Sequence, residues 1–194
     1  MYESLILLYE STFLASLNAE AFTLGALLSV IFTFAILYSS YLMIFKKESA
    51  SHFITISFIG IYFLICSFIT DHAVKLSQII HIGDLRFIYL VFAVLNFLVG
   101  KLLYILHNLF CGFKSDLLHS SIDVLNLMAI FHLFIWLKVF VFDLGVEAPL
   151  LNVLYSFSIM YLSVALAITL LFPSILNTRL KILVNPMPNL VNMR

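Results

Sequence analysis

AFTLGALLSVIFTFAILYSSYLMIF, residues 21–45, runs without a charged side chain until Lys46 and Lys47 stop it. A bilayer core about 30 Å thick takes about 20 mostly apolar residues in a helix that rises about 1.5 Å per residue. This stretch is long enough to cross, and the pattern recurs. Further apolar runs read as spans at 53–70, ended by Asp71 and His72, at 86–107, and at 122–142, ended by Asp143-Leu144-Gly145. A last run covers 150–172 and stops at Pro173, because the residue before a proline is pushed out of the helical region. The expected fold is an all-α integral membrane protein, a bundle of five transmembrane helices.

Composition points the same way. Of 194 residues, 63% are hydrophobic and 10% charged, with a mean hydropathy of +1.14; an average soluble domain carries about 25% charged residues. Lys plus Arg and Asp plus Glu each number 10, so no basic excess points to nucleic acid as a partner. Cys66 and Cys111 stand outside any CxxC spacing, which excludes a disulfide framework, and read as small apolar residues at helix contacts.

Residues 1–20 begin Met1-Tyr2-Glu3, without the basic start of a cleaved signal peptide. Glu3, Ser4, Glu10, Ser11 and Asn18 alternate with leucines at about heptad spacing, so an amphipathic N-terminal helix lying in the interface or on a partner is expected. Residues 173–194, with Pro186 and Pro188, read as an irregular C-terminal tail. Placing the N-terminus outside collects Lys46, Lys47, Lys114, Arg179, Lys181 and Arg194 on the inner side and leaves Lys75 and Arg86 outside. Basic residues are retained inside, so the expected orientation is N-out and C-in.

Small residues mark where helices approach. Gly25, Ser29 and Thr33 recur every four residues on the first span, and Ser57, Gly60 and Ser67 share a side of the second. Such stripes let backbones pack closely in lipid.

Ionisable groups inside spans are costly, by about 2.5 to 3.5 kcal/mol on insertion scales, and mark paired structural sites or functional ones. Lys101, Tyr104 and Asn108 share a face of the third span; Asp116, His119, Asp123 and Asn126 share one of the fourth. In an antiparallel hairpin, Lys101 and Asp123 reach similar depth, and a polar seam is expected between them. It reads as a hydrogen-bonded lock, as a proton-accessible half-channel, or as a metal site built from Asp116, His119 and Asp123 with His107. Lys138 is expected to snorkel to the surface, the alternative being a pair with Asp71 or Glu147. His132 stands alone at mid-span, without a second histidine at its depth to ligate haem, and is expected to bond a neighbouring helix.

GxSxG, Walker, HExxH and GxGxxG signatures are absent, which weighs against an autonomous enzyme and leaves any cofactor open. The abundance of Phe, Ile, Leu, Ser and Tyr with 6 glycines resembles proteins of AT-rich genomes, organelle genomes included. The functional expectation is a small integral subunit of an energy-converting or ion-translocating complex of respiratory type, in a bacterial or mitochondrial inner membrane. Its partners would be lipids and other membrane subunits. The alternative is a stand-alone oligomeric pore or a metal-dependent membrane enzyme.

Overall fold

The computed structural model describes residues 24–45, 49–77, 86–111, 115–144 and 149–186. The N-terminal amphipathic segment, the basic residues Lys46, Lys47, Lys114 and Arg194, and residues 187–194 lie outside that set. Every regular element described is helical. The long ones are α1 (Leu24–Ile44), α2 (Ala50–Ser77), α3 (Arg86–Phe110), α4 (Asp116–Trp136) and α5 (Pro149–Leu171). All five contain a segment long and apolar enough to cross a membrane, which suggests an integral membrane location. A 3-10 turn, Pro173–Asn177, and the short α6 (Lys181–Val184) follow. α1, α3 and α5 run towards one end of the bundle, here termed the tail end, where α2 and α4 begin.

Capping, not hydropathy, sets where α4 starts. The span was expected from residue 122, beyond the polar residues, but the helix begins at Asp116. Ser115 holds an extended backbone, φ −81 and ψ 156, and its side chain accepts a hydrogen bond from the Leu118 N–H at 3.3 Å. An acidic residue in the first turn suits the positive end of the helix dipole. At its other end α4 widens into a π turn, Leu137–Val141, closed by the Phe142 N–H on the Leu137 carbonyl at 3.1 Å. Asp143, at φ 51, then takes the left-handed conformation and ends it.

α4 is the hub, touching α2, α3 and α5. Ser120 to Ala129 are buried without a break, so nearly three turns are enclosed on every side. α1 leans on α2 through Gly60, where an added Cβ would lie 2.7 Å from Ile36 Cδ1, and through the stacked rings of Phe32 and Phe63, 4.5 Å apart. Ser29 donates to Ser67 across the same contact, 3.1 Å. Thr33 instead is exposed and bonds back to the Ser29 carbonyl, and the Ser57 hydroxyl is buried without a hydrogen bond. Gly25 lies in α1, with surroundings outside the described set.

The tail does not stay at the surface. The Tyr161 hydroxyl donates to the Leu183 carbonyl, and Tyr161 sits about 15 Å before the end of α5. Val184 and Asn185 are buried, whereas Ile182 and Leu183 face outward. Residues 173–185 therefore re-enter beside α5, covering α4. Irregular backbone survives at membrane depth where protein buries it, and the buried Leu176 and Val184 with the half-buried Ile175 supply the apolar contact.

Candidate functional site

The residues expected in one seam divide between inside and outside. Asp123 and Asn126 are buried and Tyr104 is half-buried, while Lys101, Asn108, Asp116 and His119 are exposed. The buried stripe of α3 runs through Ala93, Asn96, Val99, Gly100, Leu103 and His107. Lys101 follows Gly100, so about 100° of helical turn sets it among Leu98, Leu102 and Ile105, all exposed. Asp123 turns the other way and accepts from Asn185 Nδ2 of the re-entrant tail, 3.3 Å.

His107 is fully buried at the tail end. Its Nδ1 lies 3.0 Å from the Leu103 carbonyl, and its Nε2 lies 3.0 Å from the Ser51 carbonyl and 3.2 Å from the Thr55 hydroxyl. The Ser51 hydroxyl donates to Ser115, the cap of α4, at 2.9 Å. This network ties the start of α2, the end of α3 and the start of α4 together, and both His107 nitrogens are engaged within the protein. Among the described residues no group of three His, Cys, Asp or Glu side chains converges as a metal would need, so His107, Asp116, His119 and Asp123 do not form one centre. Beside the clamp lies a cleft of about 470 Å³, lined among others by His52, Asp116, Ser174 and Asn177.

A second polar line runs from the far end towards the middle. Lys138 is 2% exposed, and its ammonium donates to Asn152 Oδ1 at 2.8 Å. It lies in the π turn, whose altered pitch resets which residues point inward, so it is enclosed where snorkelling was expected. His132 Nδ1 meets the Tyr155 hydroxyl at 2.7 Å, the neighbouring-helix bond expected for it, and the Phe92 and Tyr155 rings lie 5.5 and 5.6 Å from its own. Asn152, Tyr155, Ile159 and Ser163 fall on one side of α5 at helical spacing. That spacing is the signal this line leaves in the sequence, and it is faint because Asn, Tyr and Ser carry no charge.

Several polar groups are left over. The hydroxyls of Ser120 and Ser121 and the amide nitrogen of Asn126 are buried in α4 with no hydrogen bond among the described residues. Gly100 brings α3 close at this level, with an added Cβ 3.8 Å from Asn126 Oδ1. Buried polar groups are almost always bonded, so leftover ones mark places where a further partner belongs.

Compared with protein-family models, curated proteins and solved structures, the chain matches none.

Proposed function

We propose that the chain is a small integral subunit of a larger membrane assembly and that its α3 face docks on a partner subunit through Lys101. The supporting observation is the position of that cation. Lys101 is exposed among Val94, Leu98, Leu102, Ile105 and Leu109, with Asn108 two turns on as the other exposed polar residue of that face. The face stays largely apolar and open to the last residues of α3, with Leu109 71% and Phe110 69% exposed. Lys101 lies about 13 Å short of that end, beyond the on the order of 6 Å that an extended lysine reaches to snorkel. A lone ammonium there is costly in lipid, and a carboxylate on a neighbouring helix relieves the cost.

The class of assembly we infer is energy-converting or ion-translocating, of respiratory type. Two features support it: the organelle-like composition, and the polar groups of α4 enclosed within the bundle as donors and acceptors for protons. On this reading the tail end lies on the cytoplasmic or matrix side of an inner membrane, since in the sequence Lys46 and Lys47 follow α1, Lys114 follows α3, and Arg179 and Lys181 follow α5.

The test is the mass of the particle extracted from the native membrane in mild detergent. A particle well above 22.1 kDa containing a different membrane polypeptide is expected. Lys101→Met should release that polypeptide while far-UV circular dichroism and the melting midpoint hold, and Lys101→Arg should retain it. A single chain, or a homo-oligomer unaffected by Lys101→Met, overturns the reading; the homo-oligomer would favour the pore.

A further inference from the structure

Between α2, α3, α4 and α5, near the middle of the bundle, lies a cavity of about 150 Å³. Three of its wall residues are polar, nine-tenths or more buried, and contributed by three different helices: Asn96 of α3 at 3% exposure, His132 of α4 at 8% and Ser163 of α5 at 6%. Each has an atom to spare. Asn96 uses its Nδ2 on the Phe92 carbonyl, 2.8 Å, and leaves Oδ1; His132 uses Nδ1 on Tyr155 and leaves Nε2; the Ser163 hydroxyl makes no hydrogen bond among the described residues. The rest of the wall is mostly apolar, with Phe63, Phe92, Met128 and Ile159. The Tyr62 hydroxyl and the Cys66 thiol, one turn apart on α2, belong to the same wall.

Water alone fits this wall poorly. A cavity of this size has room for about five waters, and three spare protein atoms in a mostly apolar wall would anchor such a cluster at few points, leaving most of its bonds to be made among the waters themselves. A benzene-sized ring fills about the same volume, and pockets that bind small molecules pair an apolar wall with a few converging polar groups. We infer that this cavity binds a flat six-membered ring bearing hydroxyl or carbonyl oxygen, a phenol- or quinol-type head group entering from the hydrocarbon phase. The ring lies against Phe63, Phe92 and Met128, and its oxygen is met by the spare atoms of Asn96, His132 and Ser163. Phe63, Cys66 and Phe92 are only half-buried, so the α2–α3 side is the entry. The inference does not depend on the subunit proposal, since the cavity lies wholly within one chain.

The test uses the full chain in nanodiscs with 4-fluorophenol as probe and fluorobenzene as its apolar counterpart, followed by fluorine NMR against empty nanodiscs. We expect one saturable site for 4-fluorophenol. Ile159→Phe, which fills the cavity, should abolish it. Ser163→Ala, which removes one hydroxyl and leaves packing intact, should weaken 4-fluorophenol about tenfold, the worth of one hydrogen bond, and leave fluorobenzene unchanged. Absence of a saturable signal would overturn the inference. Fluorobenzene binding as tightly as 4-fluorophenol, with Ser163→Ala without effect, would reduce the cavity to an apolar hole and overturn it too.

Discussion

α1 and α4 are each 21 residues long and equally able to cross a membrane, yet half of the α4 window is buried and only 17% of the α1 window is. In water, hydropathy alone separates inside from outside. In lipid it does not, because the solvent is as apolar as leucine. What separates the two helices is where polar side chains go. α1 carries Ser and Thr that bond back to its own carbonyls, as Thr33 does to Ser29 and Ser40 to Ile36, so it can face lipid at little cost. α4 carries Asp123, Asn126 and His132, which need partners from other helices, and it is accordingly wrapped by α2, α3, α5 and the tail.

The sharpest challenge to that contrast is the same substitution made in each helix. Leu125 is fully buried in α4 and Leu37 is 64% exposed on α1. Leu125→Ala should cost about 2 to 4 kcal/mol, chiefly through lost packing contacts, and Leu37→Ala about 0.5 kcal/mol or less, since lipid replaces the missing methyls. Unfolding free energies in mixed micelles measure both. Comparable losses would mean that the exposed face of α1 is itself packed against a partner.

A smaller effect tests how α4 is closed off. Asp123→Leu takes from the buried Asn185 amide the carboxylate it donates to and should cost about 1 to 3 kcal/mol. Asn185→Leu removes that donor from Asp123 and should cost less, and the double variant should cost clearly less than the sum, because the two side chains share one contact. Strict additivity would detach the tail from α4. Proteolysis offers an independent reading, since either single variant should expose the chain after Pro173 to cleavage while the five long helices stay protected.

The five spans were legible because an apolar run of bilayer length has few other uses. Their ends were less so: Ser115 caps α4 about two turns before the apolar run begins, and hydropathy is blind to caps. Facing was harder again. Lys101 and Asp123 do reach similar depth, but a helical face is about 100° wide, and one residue of rotation separates the lipid side of α3 from Gly100 on its buried side. The tail was unreadable for a different reason, since its apolar residues come in groups too short to signal a span. Their return into the bundle depends on the bed that α4 and α5 provide, not on local pattern. Of the small-residue stripes, the structure sets Ser29 against Ser67 and Gly60 against Ile36, while Thr33 faces outward, so spacing alone marks part of the contact.

That last contact gives the finest test of what holds α1. The Ser29–Ser67 hydrogen bond is part-buried at 3.1 Å, between helices otherwise joined by apolar packing. Hydrogen bonds between membrane helices average about 0.6 kcal/mol, because a freed hydroxyl can turn back to its own helix, as Thr33 already does on the next turn of α1. Ser67→Ala should therefore destabilise by about 0.6 kcal/mol, and Ser29→Ala by the same, with the pair together costing little more than either. A loss of several kcal/mol from Ser67→Ala would show that α1, too, is held by its polar contacts, and the distinction from α4 would fail. A null result would leave shape complementarity at Gly60 as the bond between α1 and α2, and Gly60→Ala, whose Cβ meets Ile36 at 2.7 Å, should then loosen α1 more than removing the hydrogen bond does.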